Sequence, residues 1–369
     1  MVLGIEASNI LAGGGLVHLK EFLNHAKPED HNFDSVILWA PQSTLDHMPN
    51  KEWLVKKSHP WLNRNFLFST LWRILILPIG LNRMIDVLFV PGANVVNFTP
   101  MVTMCQNLLP FDSAERRLYG FSWMRLRLSF LHFTQKMSFG KARKVIFLTA
   151  SSVHYVANSK SSLSEKSVVI PHGINSVYFK MPTVKNDNQT IKLLYVSIVD
   201  VYKHHCNLVE AVFALLEKGY DVELELVGAI YPPAYHALQK VLKTKPQFAD
   251  RISYTALVSY YSLNEVYQSA DIFIFASSCE SFSLILLEAM ASGLPIACSD
   301  KDTLKDTLQD AGVYFNPYDS KDIERVVLSL IQDKGLREDL SKRAFHRSTN
   351  YSWSKCSNHT LACLAEAVI

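Results

Sequence analysis

Residues 270–295 read ADIFIFASSCESFSLILLEAMASGLP. The run Ile272–Phe275 is continuously apolar, as in a strand buried on both faces. A loop of small polar residues follows, and then the helical run Leu284–Ala291. Gly293 stops that helix, with Pro295 two residues on. A further apolar run, Leu294–Cys298, completes a strand–helix–strand unit.

The same alternation extends in both directions. Candidate strands are Val2–Ile5, Ser35–Trp39, Val87–Val90, Met101–Cys105 and Val145–Thr149 in the first half. In the second half they are Lys192–Ser197, Glu223–Val227, Ile252–Thr255, Ile272–Phe275 and Leu294–Cys298. The helical run Leu208–Leu216 ends at Lys218-Gly219. The alternation begins afresh near residue 190, after the polar stretch Pro182–Thr190, which has the composition of a linker. An α/β chain of two tandem, doubly wound domains follows from this order. Open α/β sheets bind ligands beyond the carboxyl ends of their strands, so function is sought in the loops after strands and in the crevice between two such domains.

Composition sets the outer bounds. The 369 residues are 49% hydrophobic and 19% charged, with 14 glycines and 15 prolines, which excludes disorder, collagen and a coiled coil. A net charge of +3 does not suit a nucleic-acid binder built on bulk charge. The six cysteines are scattered without a CxxC pair, as expected for reduced cytosolic thiols. No targeting signal is read at the N-terminus. The longest greasy run, Leu71–Leu81, is broken by Arg73 and Pro78 and falls short of the ~18 residues a membrane span needs. The expectation is a cytoplasmic protein, at most peripheral on the inner face of the cytoplasmic membrane.

Three loops can carry chemistry. Ala12-Gly13-Gly14-Gly15 follows the first strand and opens a helix, so backbone amides can approach a phosphate there. No acidic residue closes the next strand, which argues against a nicotinamide dinucleotide. The loop Ile198–His205 carries Lys203, which either reaches a ligand's phosphates or is a solvated surface lysine. In the third loop Glu280 precedes the helix, Ser281 or Ser283 can cap it, and Glu288 falls among Leu284, Ile285, Leu287 and Ala291 on its apolar face. A carboxylate facing inward needs a partner, either ribose and sugar hydroxyls or a neighbouring protein group.

Glu280 and Glu288, seven residues between them and AMASGLP after them, resemble the E-x7-E signature of retaining glycosyltransferases of family GT4. The resemblance extends to Gly13–Gly15, VIPHGIN (Val169–Asn175), YVSIVDVYK (Tyr195–Lys203), ADIFIFAS and DAGVYFNP (Asp310–Pro317). It is dense over residues 190–355 and sparse over 1–175. It implies the GT-B fold, two Rossmann-like domains facing a cleft. Residues 1–175 would form the acceptor domain and 176–351 the donor domain. A C-terminal helix, 352–369, would cross back to the N-terminal domain.

The implied reaction moves a hexose from a UDP- or GDP-sugar to an acceptor hydroxyl with retention, without cofactor or catalytic metal. By position, Glu280 would touch the donor sugar, Glu288 the ribose, and the amides of Phe282, Ser283 and Leu284, beside Ser281, the sugar or diphosphate. Lys203 would neutralise the diphosphate, and Gly14 and Gly15 would let it approach. Two positions depart from the family pattern. Ile198 stands where an Arg usually precedes the lysine, and Ser283 stands where a Gly usually follows the Phe. The triplet Asp300-Lys301-Asp302 has the form of a metal-binding DxD, but charged neighbours point to a solvated loop, and the thirteen histidines show no ligand spacing. Two other readings are a non-hydrolysing sugar-nucleotide epimerase and a non-catalytic binding partner of a glycosyltransferase.

Between Phe111 and Lys144, Arg116, Arg117, Arg125 and Arg127 interleave with Phe121, Trp123, Leu126, Phe130 and Phe133. Such a segment suits an anionic membrane surface, or else a core helix whose cations snorkel outward. Trp72, Arg73 and the neighbouring leucines are read with the same patch. On the membrane reading the acceptor is a lipid-linked or oligosaccharide glycan of surface polysaccharide or lipopolysaccharide assembly. Gln106 and Asn107, after the Met101–Cys105 strand, are candidate acceptor-hydroxyl binders.

Overall fold

Two all-parallel sheets organise the chain. The structure, a computed structural model, describes residues 1–157, 161–182, 190–256, 258 and 260–368. Of the expected linker Pro182–Thr190, residues 183–189 lie outside the described residues. The chain divides into two units. The first comprises Met1–Arg116, Phe121–Gly173 and Tyr351–Ile369; the second comprises Arg117–Gly120 and Ile174–Asn350.

The first unit's sheet contains β1 (Val2–Glu6), β2 (Ser35–Trp39), β3 (Leu54–Lys57), β4 (Val87–Val90), β5 (Met101–Met104), β6 (Lys144–Phe147) and β7 (Ser167–Val169), in the order β3-β2-β1-β4-β5-β6-β7. The second unit's sheet contains β8 (Ile191–Val196), β9 (Val222–Val227), β10 (Ile252–Thr255), β11 (Ile272–Phe275), β12 (Ile296–Ser299) and β13 (Val313–Phe315), in the order β10-β9-β8-β11-β12-β13. Strand order reverses between β1 and β4 in one sheet and between β8 and β11 in the other, so each sheet has a switch point at its centre.

The central strands β4, β5, β11 and β12 are buried along their whole length, which is why they read as unbroken apolar runs. The sequence reading named no strand at β3, β7 or β13. All three are sheet edges, partly exposed and carrying Lys56, Lys57, Ser167 or Tyr314, so the apolar signal is diluted. The strand expected at Leu294–Cys298 begins at Ile296, because Leu294 and Pro295 belong to the turn after the preceding helix.

Five helices matter for function: α1 (Gly13–His25), α2 (Trp123–Lys141), α3 (His205–Glu217), α4 (Leu284–Ala291) and α5 (Trp353–Glu366). Helix α5 packs on α1 within the first unit, burying Leu361 and Leu364, and Ser357 Oγ donates to the Phe22 carbonyl at 3.0 Å. Its start is held tightly: a Cβ on Gly173 would lie 2.0 Å from the Trp353 nitrogen. Among the described residues no helix is long and apolar enough to cross a membrane.

Candidate active site

The topology of the second sheet brings two distant loops together. β8 and β11 are neighbours at the switch point, so the loops leaving their carboxyl ends meet although Lys203 and Glu280 are 77 residues apart. Lys203 Nζ and Glu280 Oε1 form an ion pair, with side chains 6% and 15% exposed. Ser277 Oγ donates to the same carboxylate oxygen at 2.6 Å. Lys203 is therefore not a solvated surface lysine. Its ammonium lies over the rings of Tyr202 and Phe275 at 4.9 and 5.4 Å, and the Tyr195 hydroxyl holds its carbonyl at 2.9 Å.

The rest of the loop after β8 is fixed by polar contacts. Ser278 N donates to the Tyr202 carbonyl at 2.9 Å, and Ser278 Oγ lies 2.8 Å from His204 Nε2. Burial lowers the His204 pKa to about 4 and that of His205, stacked on Tyr195, to about 3, with nearby lysines adding to the shift. Both imidazoles are neutral near pH 7, leaving Lys203 as the cation of this loop. Ile198, at the place of the family's arginine, is 38% exposed.

Asp200 caps the short turn Val201–Lys203 and accepts a 2.9 Å hydrogen bond from Tyr119, whose ring lies 5.9 Å from that of Tyr231. Burial raises the Asp200 pKa, and the bonds from Val201 N and Tyr119 oppose the rise. Tyr119 comes from the four-residue excursion Arg117–Gly120, which clusters with the second unit.

Helix α4 begins at Leu284 with Ser283 as its N-cap, accepting from Leu286 N at 3.1 Å; Ser281 and Phe282 are buried just before it. Glu288 is 8% exposed, as its place on the apolar face required, and accepts a 2.9 Å hydrogen bond from the buried Tyr267 hydroxyl. Burial pushes its pKa up to about 7, against hydrogen bonds from Tyr267 and Tyr178.

In the first unit, Gly13 adopts φ +67° and starts α1, a conformation that favours glycine. A Cβ on Gly15 would lie 3.2 Å from Gln106 Oε1, and Gln106 Nε2 sits 3.5 Å from His18 Nδ1. The turn after β1 and the loop after β5 thus meet at the end of their sheet. Asn107 instead accepts from Leu109 N at 2.9 Å and shapes its own loop. Asp300 pairs with Lys301 at 3.8 Å and Asp302 opens an exposed helix end, so the DxD triplet is a surface turn.

The basic segment is resolved into parts. Arg116 belongs to the first unit and folds back toward the Asp112 carbonyl at 3.4 Å, while Arg117 belongs to the second. On α2, Arg125 lies over the Phe121 ring and Arg127 is exposed. Only Leu128, Ser138 and Phe139 of α2 are buried, whereas Trp123, Leu126, Phe130, Phe133 and Met137 form an exposed apolar stripe at helical spacing. Of the expected neighbours, Leu71 and Leu75 are exposed, but Trp72 and Arg73 do not extend this surface. They are buried, and Arg73 donates to Thr70 Oγ1 at 3.0 Å and to Ser8 Oγ, in the turn after β1, at 3.3 Å.

Sequence reasoning missed Ser277, Tyr119, Asp200 and Tyr267. A lone Ser, Tyr or Asp in a loop or helix carries no periodic signal, and only the strand order reveals what it touches.

Residues 179–347 match the family described as glycosyl transferases group 1. The chain is 33% identical over 110 residues to the O-antigen chain mannosyltransferase B of Escherichia coli, covering 30% of this chain and 29% of that protein. It is 23% identical over 278 residues to the serotype-specific mannosyltransferase WbdA of Escherichia coli, covering 73% of this chain and 33% of that protein. The aligned segments thus span about a third of the length of these relatives. Among solved structures, WaaG, a glycosyltransferase involved in lipopolysaccharide biosynthesis, superposes with a TM-score of 0.71 at 13% identity over 99% of both chains. Two Rossmann-like parallel sheets give the chain the GT-B fold, and its residues 179–347 are similar to glycosyl transferases group 1.

Proposed function

We propose that this protein transfers a hexose from a UDP- or GDP-sugar to a glycan acceptor, with retention at the anomeric carbon and without a catalytic metal. The observation that carries the reading is the buried Lys203–Glu280 pair, with Ser277, beyond the ends of the two strands at the sheet's switch point. A diphosphate offers Lys203 more negative charge than Glu280 does, so the donor draws the ammonium toward the leaving group and frees the carboxylate for sugar hydroxyls. Lys203 and the first amides of α4 then stabilise charge developing on the departing diphosphate, a preorganised electrostatic role. Glu288 accepts from ribose hydroxyls while Tyr267 holds it in place. Gly14 and Gly15 are assigned to the donor phosphate, and Gln106 and Asn107 to acceptor hydroxyls.

The mannosyltransferase relatives favour mannose as the hexose and surface polysaccharide as the pathway. A lipid-linked acceptor is supported by the exposed stripe on α2 with Arg127 beside it, the composition of a helix that lies on an anionic membrane. The test is a thermal-shift screen of nucleoside diphosphates and their hexoses, followed by turnover with lipid-linked glycan. A donor bound at 100 times its Kd adds about 2.7 kcal/mol. Failure of every nucleoside diphosphate to raise the melting temperature overturns the donor assignment.

A further inference from the structure

Three side chains remote in sequence converge inside the first unit, away from any role given above. His18 lies on α1, His172 follows β7 just before Gly173, and Cys356 lies on the first turn of α5. Each can offer one ligand atom, and these atoms all lie within 4.8 Å of one another. The residues are 0%, 5% and 2% exposed. The two imidazole rings are 4.7 Å apart at their centroids, and Trp353 covers both at 6.2 and 5.5 Å. His18 Nε2 is buried without a hydrogen-bond partner. Such an atom is rare in a protein interior and calls for an explanation.

We propose that His18, His172 and Cys356 form a binding site for a d10 metal ion, Zn2+ or Cu+, which fastens the C-terminal helix to the first unit. Two imidazoles and a thiol are a borderline-to-soft donor set, and no carboxylate is among them, so Mg2+ and Ca2+ do not fit. Bond lengths of about 2.0–2.1 Å to nitrogen and about 2.3 Å to sulfur place tetrahedral ligands roughly 3.3–3.8 Å apart. The observed spacing closes to that by movements of about 1 Å. Gln106 supplies the outer support. With its amide oxygen turned to His18 Nδ1–H, it leaves Nε2 as the lone-pair donor, an amide orientation that heavy-atom positions do not distinguish. The Cys356 thiol loses its proton to solvent as the metal–sulfur bond forms, so binding releases one proton per ion. The ligands come from α1, from the residue beside Gly173 and from α5, so the ion ties together segments that are more than 150 residues apart in the sequence. None of the three ligands has a part in the proposed transfer, although Gln106, which backs His18, is also the candidate acceptor binder.

The experiment titrates chelator-stripped full-length protein with Co2+, then with Zn2+ or Cu+, beside Cys356→Ser. The expected result is a thiolate-to-cobalt charge-transfer band saturating at one equivalent in the wild type and absent in Cys356→Ser. Zn2+ displacing Co2+ identifies zinc, whereas displacement by Cu+ alone identifies copper. The bound ion raises the melting temperature of the wild type only. A wild type that shows no cobalt band and no melting shift with either ion overturns the proposal and leaves an imidazole–tryptophan packing cluster. An equal band in Cys356→Ser overturns it too.

Discussion

Lys203 and Glu280 face each other as a nearly buried ion pair whose carboxylate also accepts from Ser277. Neither residue lies in a regular strand or α-helix: one sits in the turn after β8 and the other in the loop after β11, and the parallel pairing of those strands makes them neighbours. Their charges offset each other's desolvation while remaining open to exchange for a charged ligand.

Stability and activity should separate when this pair is replaced. Lys203→Ala or Glu280→Ala leaves the other charge buried and unpaired, a loss on the order of 3–5 kcal/mol for a fully buried pair and less here, where Glu280 retains some water contact. The double variant Lys203→Met/Glu280→Gln removes both charges and regains most of that stability. Turnover stays about 10²–10³-fold down in all three, because the electrostatic stabilisation is gone. Urea melts and initial rates on the same samples check this. Turnover restored in the double variant would remove both residues from the chemistry.

The Glu288 carboxyl predicts a pH-dependent stability. Its pKa is raised by burial to about 7, from 4.5 in the unfolded chain. The native state therefore holds its proton more tightly, and the contribution is fully present below pH 4.5 and lost as pH rises through 7. The lost stability is on the order of 3 kcal/mol. Histidines such as His204 and His205, with lowered values, act in the opposite direction as pH falls below 6.5. The clean measurement is thus the difference between wild type and Glu288→Gln: denaturation midpoints should diverge between pH 5 and 7.5, with the variant flatter. Parallel curves would contradict the buried titration.

How much of this was legible beforehand differs between the two units. Buried central strands such as β11 and β12 carry their signal in four consecutive residues, and the α4 face that buries Glu288 follows from helical spacing alone. The edge strands β3, β7 and β13 and the Lys203–Glu280 contact do not, because the first are half wet and the second depends on strand order. Arg73 was misassigned for a related reason. A guanidinium in a greasy run looks like an interfacial cation, yet here it is buried against Ser8 and Thr70. The grouping of His18, His172 and Cys356 is invisible at any sequence spacing, since it depends on the return of α5 to the first unit.

Tyr119 offers a test of the excursion Arg117–Gly120. Tyr119→Phe keeps the ring against Tyr231 but removes the donor to Asp200, a partly buried carboxylate. The loss should be about 1–3 kcal/mol. Because Asp200 caps the turn that carries Lys203, donor KM should rise along with it. An unchanged KM with reduced stability would confine Tyr119 to a structural role.

The exposed stripe on α2 gives the last prediction. Trp123 and Phe130 are 80% and 52% exposed, so Trp123→Ser and Phe130→Ser remove little buried area and should change stability by no more than about 0.5 kcal/mol, the range typical of surface changes. Each nonetheless deletes apolar surface that a lipid interface would bury, and Arg127→Glu reverses a charge worth about 1 kcal/mol near anionic lipid. Sedimentation with vesicles containing anionic phospholipid should therefore fall in all three variants, and further at raised salt for the wild type, where screening weakens the arginine. Lys240, an exposed residue of the second unit, supplies the control: Lys240→Glu changes the net charge equally and should leave vesicle binding intact. Equal loss in that control would make the attraction a matter of net charge and not of this helix.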